Sequence, residues 1–303
     1  MNTYNRLVAL LICCLIFAQL SAQNKIVVFQ TDFGLKDGAV SAMKGVAISV
    51  SSDLKLFDLT HEIPAFNIWE AGYRLFQTAQ YWPAGTVFVS VVDPGVGTNR
   101  RSVVLKTKSG HFVVTPDNGT LTLIAQSLGI DTLREIDEAV NRRKGSEKSY
   151  TFHGRDVYAY AAARLASGTI TLDQVGKLLP GSVVNIPYQK AVIEGRKIKG
   201  DIPILDVQYG NVWTNISSDL LKQIQLRYGD VLHFTIYHRN KKVYEGNAPY
   251  AETFGEVGKG KPLAYVNSLM QLSFALNQGN FASVYHVSSG SDWSVEVDIV
   301  KRK

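Results

Sequence analysis

Short apolar runs that end in a polar or acidic residue recur along the first part of the chain. "KIVVFQTDFG", "LKLFDLTHE" and "GTVFVSVVDPG" each read as a strand closed by a turn. Between them, "DGAVSAMKGVAISVS" and "NIWEAGYRLFQTAQYW" carry apolar residues at helical spacing; in the second, Ile68, Ala71, Leu75 and Phe76 share one face. "SVVLKTKSGHFVVTPDNG" predicts two further strands, "TLTLIAQSLG" a helix, and "GRDVYAYAAARLASG" another helix with a glycine stop. Strands alternating with helices predict an α/β domain with a central, mostly parallel sheet over residues 23–188.

The pattern changes after that. "KAVIEGRKIKGDIPILDVQYGNVWTNI", "VLHFTIYHRNKKVYEG", "PLAYVNSLMQLSFAL" and "DWSVEVDIVKR" are short strands joined by Gly, Asn and Pro turns. Only "SSDLLKQIQL" interrupts them as a short helix capped by its Ser-Ser-Asp. Residues 189–303 are therefore expected to form a small, mostly antiparallel β domain, a compact β-barrel or a sandwich.

Composition adds three constraints. At 46% hydrophobic and 19% charged, 303 residues suffice for a substantial core. Residues 1–22, "MNTYNRLVALLICCLIFAQLSA", hold one charge, Arg6, then an apolar run of 12 residues from Leu7 to Ala18 and small residues up to Ala22. That is the layout of a signal peptide, short for a membrane span of about 20 residues, and it predicts an exported protein with no stable membrane anchor after cleavage. Cys13 and Cys14, the two cysteines, both fall inside it, so the mature chain would form no disulfide and no thiolate metal site. The formal charge of +6 is spread thinly; "NRRKGSEKSY" and "EGRKIKGD" read as solvated loops, and no nucleic-acid footprint emerges.

Familiar cofactor and catalytic signatures are missing. No G-x-G-x-x-G follows the first strand, and no P-loop, G-x-S-x-G or H-E-x-x-H occurs. Histidines 61, 111, 153, 233, 238 and 286 are dispersed, so no metal site is expected. What remains is polar residues at strand ends: Asp32, Asp58, Asp93, Asp117 with Asn118, and "TFHGRD", in which His153 and Gly154 precede a helix. Asp58 and His61 read as structural. Carboxyl ends of strands are where open α/β sheets bind ligands, and several such residues on one sheet edge would form a polar cleft.

In order along the chain, "QTDFGLKDGAVSAMKG", "DLTHEIPAFNIWEAGYRL", "VVDPGVGTNRR", "VTPDNGTLT", "TFHGRDVYAYAAARLA", "YGNVWTNI" and "VNSLMQLSFALNQGNFA" resemble the S-adenosylmethionine hydroxide adenosyltransferase family. This family is the sibling of the fluorinases and chlorinases. The resemblance implies hydrolysis of S-adenosyl-L-methionine (SAM) to adenosine and L-methionine, with SAM as substrate and no cofactor. It also implies a homotrimer whose sites lie between the first domain of one subunit and the barrel of the next. By resemblance, Asp93, Arg100 and His153 hold and polarise a water, with Arg101 a substitute for Arg100 on the residues alone. Asp32 would receive the ribose hydroxyls, Phe66 and Phe152 would line the ribose pocket, and Tyr209 or Trp213 would flank adenine. Asp206, Asn211, Asn267 and Ser268 would hold the methionine end. Two alternatives stand beside this: halide transfer to the same carbon, and a non-catalytic adenosine or SAM binder. The fluorinase pattern has tyrosine where this chain has Asp93 and serine where it has Gly154, and a carboxylate would repel a halide.

Overall fold

The computed structural model describes residues 24–301, so the segment read as a signal peptide lies outside the described residues. The chain divides into two compact units, with the boundary between Ile186 and Pro187.

The first unit is built on strands β1 (Ile26–Thr31), β2 (Lys55–Thr60), β3 (Val87–Val91), β4 (Ser102–Thr107), β5 (Phe112–Pro116) and β6 (Ile130–Glu135). They lie in the order β2-β1-β3-β5-β4-β6, with β2, β1, β3 and β5 parallel to one another and β4 antiparallel to both β5 and β6. Side chains alternate between the two faces of a strand. Val27, Phe29, Val87, Val89, Val104 and Val114 thus face one core, shared with Met43 and Ala47 of α1 (Ala39–Val50). Val28, Phe88, Val103, Leu105 and Val113 face the other, shared with Leu75 of α2 (Ile68–Thr78) and Ile124 of α3 (Thr122–Leu128). Because both faces are covered, β1 and β3 read as near-continuous apolar runs. The strand β6 was not legible as a strand; it is a half-exposed edge with little apolar content.

Two further short helical pieces bear on the site. One is α4 (Glu138–Asn141), capped by the Asp137 carboxylate, which accepts from the Ala139 N–H at 3.0 Å. The other is α5 (Tyr160–Ala166), preceded by a π-helical turn, Gly154–Ala159, directly after His153. A single wide turn of this kind re-aims the side chains at its start and is common at functional sites.

The second unit contains β7 (Val192–Glu194), β8 (Lys197–Asp201), β9 (Ile204–Asp206), β10 (Asn211–Ser217), α6 (Ser218–Gln223), β11 (Val231–His238), β12 (Lys241–Pro249), β13 (Pro262–Val266), β14 (Gln271–Leu276), α7 (Phe281–Tyr285) and β15 (Trp293–Lys301). It comprises two antiparallel sheets, β13-β14-β10-β9 and β12-β11-β15-β8-β7, around one apolar core. The expected barrel is therefore not closed by a continuous ladder among the described residues. At one seam a side chain takes the ladder's place: the Asn215 amide oxygen of β10 accepts from the Asp201 N–H of β8 at 2.9 Å. Gly200 permits that approach, since a Cβ there would sit 2.6 Å from the same oxygen. "EGRKIKGD" is likewise not a solvated loop but the β7–β8 hairpin, with Ile198 buried and Lys197 and Lys199 paired with Glu296 and Glu194.

Phe234 of β11 stacks on Phe274 of β14 across the sheets with ring centroids 3.9 Å apart, and both are fully buried. Phe274→Ala is expected to destabilise the protein by about 3–5 kcal/mol, read as a lower denaturant midpoint in chemical unfolding.

Candidate active site

Strands β1 and β3 are adjacent and parallel, with Thr31 opposite Val91, and β2 lies on the far side of β1. The strand order thus reverses here, which makes the crevice beyond their carboxyl ends the natural ligand position in such a sheet. Asp32 follows β1 and Asp93 follows β3. Together with Phe33, Phe66, Phe152 and His153 they line a cavity of about 260 Å³. One Asp32 oxygen accepts from the Phe66 N–H at 2.9 Å. Phe66 is 70% exposed and holds φ of 67°, a left-handed conformation that strains a residue with a side chain. Phe33 and Phe152 meet edge to face, 5.9 Å between centroids, and form the apolar wall.

The segment after Asp93 turns twice, closed by Val96 N–H to Asp93 O at 3.2 Å and Thr98 N–H to Gly95 O at 3.1 Å, with Gly97 at φ 78°. These turns bring Arg100 back onto Asp93. Its Nε donates to Oδ1 at 3.0 Å and its Nη2 to Oδ2 at 2.6 Å, while Nη1 donates to Ser102 Oγ at 3.0 Å. The other hydrogen of Nη2 points at His153 Nδ1, 2.8 Å away. Asp93, Arg100 and His153 are therefore one contiguous cluster. Arg101, the alternative in the sequence, instead donates to the buried Asp117 at 2.5 Å. Asn118 ties that turn to the end of β3 by donating to Val92 O at 2.9 Å.

Four partners of this cluster were not singled out in the sequence. Arg142 Nη2 lies 2.9 Å from His153 Nε2 and is ion-paired with Glu138 of α4. Glu138 accepts from Ser102 Oγ at 3.2 Å, Ser102 lies 3.2 Å from the Tyr158 hydroxyl, and that hydroxyl reaches Asp93 Oδ2 at 3.4 Å. The contacts close a ring through Asp93, Arg100, His153, Arg142, Glu138, Ser102 and Tyr158. This overturns the reading of "NRRKGSEKSY" as solvated throughout, because the Arg142 side chain is only 7% exposed. Burial would lower the Arg100 guanidinium, but the hydrogen bonds and charge of Asp93 outweigh it, and Arg100 is raised above its ordinary value. Burial pulls His153 below its ordinary value, with Arg100 and Arg142 adding to the effect and Glu138 and Asp93 opposing it. Tyr158 is pushed well up by burial and the nearby Asp93 charge, so it acts as a hydroxyl donor.

His61 is confirmed in a structural place: Nδ1 lies 2.9 Å from Thr31 Oγ1 and Nε2 lies 2.9 Å from Asp58, which also binds Lys44 at 2.6 Å. So Asp58 and Asp117 do not join the cavity. Among the described residues no group of three or more His, Cys, Asp or Glu side chains comes together as a metal cluster, and no helix is long and apolar enough to cross a membrane.

The remaining predicted residues, Asp206, Tyr209, Asn211, Trp213, Asn267 and Ser268, line a second cavity of about 850 Å³ in the second unit. The turn Asp206–Gly210 builds it, with Gly210 at φ 68° packed so closely that a Cβ would fall 1.9 Å from Asn280 Oδ1. Asn211 donates to Asp206 at 3.2 Å. Asn267 is occupied in shaping its own turn: its oxygen accepts from the N–H groups of Leu269 at 2.8 Å and Gln271 at 3.2 Å, and its amide donates to Ser273 at 3.0 Å. Tyr265, also missed in the sequence, shares this cavity, and burial pushes it up to about 12.

Fold and site define an α/β protein with a polar small-molecule crevice at a sheet switch point, followed by an antiparallel unit that carries a second cavity. The chain belongs to the SAM hydroxide adenosyltransferase family: residues 27–176 match the family's N-terminal domain and residues 200–294 its C-terminal domain. It is 38% identical over 71% of its length to a (R)-S-adenosyl-L-methionine hydrolase of Methanocaldococcus jannaschii, covering 74% of that protein. A fluorinase of Actinopolyspora mzabensis is 28% identical over 89% of this chain and 96% of its own. A crystal structure of an uncharacterized conserved protein from Thermotoga maritima, 36% identical, superposes with a TM-score of 0.82 over 90% of this chain and 99% of that one.

The lowered His153 has a sign that can be checked. Unfolded histidine binds its proton near pH 6.5, more tightly than the buried ring does, so acid favours the unfolded chain below about that pH until the folded group also titrates. His153→Gln removes this component. The stability advantage of the parent over the variant is expected to shrink as the pH of urea unfolding falls from about 7.5 to about 5.

Proposed function

We propose that the protein hydrolyses SAM to adenosine and L-methionine by attack of water at ribose C5′. The observation that carries this reading is the Asp93 carboxylate, clamped by Arg100 beside His153, on the wall of a cavity at the sheet's switch point, in a chain of this family. The sulfonium leaves as a neutral thioether and takes the C5′–S electron pair, so the leaving group needs no acid. The difficulty is the nucleophile, since free water has a pKa of about 15.7. Asp93 accepts a hydrogen bond from the water and turns a lone pair towards C5′, while the guanidinium offers positive potential as hydroxide character grows. A fixed line from oxygen through C5′ to sulfur supplies a positioning advantage of several kcal/mol, of order 7 at the least in well-oriented systems. Asp32 would receive the ribose hydroxyls, with Phe66 and Phe152 against the sugar. Asp206, Asn211 and Ser268 suit the methionine ammonium and carboxylate, and Tyr209 and Trp213 offer flat apolar faces for adenine.

Halide transfer is the weaker reading. A halide beside Asp93 faces a like charge, worth about 1 kcal/mol in water at 4 Å and more where water is excluded. A serine hydroxyl at position 154 has little room, since a Cβ on Gly154 would sit 3.3 Å from the Phe33 ring and 3.4 Å from Val91. In ¹⁸O-labelled water containing chloride, the expected product is adenosine with the heavy oxygen at 5′, reduced at least 100-fold in Asp93→Ala, on the scale of a lost acid–base group. A 5′-chloro-nucleoside would sink the hydrolase reading.

The predicted residues divide between two cavities in two units, and the family resemblance assigns them to one shared site in a trimer. We extend the proposal accordingly: the first unit of one subunit works with the second unit of another. Asp93→Ala and Asp206→Ala, each inactive alone, are expected to regain part of the activity when unfolded and refolded together, because mixed assemblies contain some intact sites. No recovery, with light scattering showing a monomer, would rule the shared site out.

A further inference from the structure

His153 is held at both ring nitrogens by groups that can only donate. Arg100 Nη2 lies 2.8 Å from Nδ1 and Arg142 Nη2 lies 2.9 Å from Nε2. A neutral imidazole accepts at one nitrogen and carries hydrogen on the other, and a guanidinium has no lone pair to accept it. One of the two contacts is therefore a hydrogen bond, and the other sets an N–H against a cation. A protonated ring would face two cations with a hydrogen on each side. The arrangement is close to symmetric: each Nη2 bridges His153 to a carboxylate, Asp93 through Arg100 and Glu138 through Arg142. The further groups near the ring are the Tyr158 and Tyr150 rings, with centroids 6.5 and 6.4 Å away. Arg142 also lies over the Tyr150 ring at 5.1 Å, which limits its freedom to swing away.

We infer that Arg142, anchored by Glu138, is a positioning residue that occupies His153 Nε2 and keeps the ring neutral and fixed in orientation. While Arg142 is in place, the proton released by the attacking water does not end on His153. The ring orients and the Asp93 carboxylate on the cavity wall is the base. Charges agree with this division, since Arg100 and Arg142 balance Asp93 and Glu138 when the ring is neutral. This inference rests on the proposed hydrolysis for its catalytic meaning, but the ionisation of His153 can be read without substrate.

The test is an NMR titration of the histidine ring signals of the purified protein, with His153 assigned by comparison with His153→Gln, alongside pH profiles of SAM hydrolysis. The parent is expected to titrate below the ordinary histidine value. Arg142→Gln removes a cation and leaves Glu138 opposite the ring, so the midpoint is expected to rise by about one pH unit, as for a lost neighbouring charge. Glu138→Gln removes an anion and is expected to move it the other way, and Arg142→Lys to restore part of the shift. The acid limb of kcat should follow the same order while KM changes less than threefold. Should Arg142→Gln not fold, the fall in Glu138→Gln and the partial return in Arg142→Lys carry the test. An unmoved midpoint in these variants overturns the inference, even if activity is lost, because that loss would then be structural. Midpoints that move as expected with no hydrolysis by the parent or by any variant would leave the clamp standing and sink the hydrolase reading instead.

Discussion

The site depends on one interaction, the fork of Arg100 on the Asp93 carboxylate. The Asp93 side chain is 6% exposed and that of Arg100 11%, so each charge has lost nearly all its water. A carboxylate so placed is several kcal/mol less favourable than in solvent unless close, hydrogen-bonded charge offsets the loss. Here two parallel charge-assisted bonds do so, and their planarity fixes the direction of both groups. The backbone enforces the pairing. Strand β3 delivers Asp93, but the chain resumes in β4, and β5 lies between them in the sheet. The connection must cross the end of β5, and the two turns at Asp93–Thr98 make that crossing short enough to lay Arg100 over the residue it left.

From that pair the rest of the ring follows. Arg100 also lies against His153 Nδ1 and donates to Ser102, and Ser102 links Glu138 to Tyr158. The π-helical turn after His153 sets Tyr158 where its hydroxyl can reach both Ser102 and Asp93. Few of these groups have an alternative partner in water, so the cavity wall is preorganised before any ligand arrives. The second unit supplies a different chemistry: amides, a carboxylate and aromatic faces around a wider cavity. On the proposed reading, cavities of different subunits take different parts of one substrate, the reacting ribose in the first and the amino acid and adenine in the second.

Much of this was legible as pattern. Strand-ending Asp32 and Asp93 stood out because an acidic residue after an apolar run is where a parallel sheet opens to solvent. The choice between Arg100 and Arg101 was not legible from the residues alone. The two part at the entry into β4, where successive side chains take opposite directions and send Arg100 to Asp93 and Arg101 to Asp117. Arg142 and Glu138 were hidden for another reason. They lie in a mixed-charge stretch without periodicity, and only tertiary contact with His153, eleven residues on from Arg142, shows that one arginine of the run is buried. Tyr158 reads as core in a helix and is core, yet its hydroxyl belongs to the site. The barrel failed to close where Asn215 replaces a backbone ladder, a substitution that alternation of apolar residues does not encode.

Charge balance also bears on the choice of nucleophile. With His153 neutral, two guanidinium groups offset two carboxylates, and the cluster carries no surplus positive charge to draw a bare halide out of water. A halide would have to shed its hydration against Asp93, and Gly154 offers no side-chain donor in return. On the proposed reading water enters neutral and needs an acceptor for its hydrogen, which Asp93 would provide. In that proposal negative charge builds on the oxygen only as C5′–O bond formation proceeds, and the Arg100 guanidinium behind Asp93 would then meet it. Stabilisation that grows along the reaction, and is small in the ground state, is what lowers a barrier. The same residues that make this cleft poor for an anion thus make it suited to a water that becomes one.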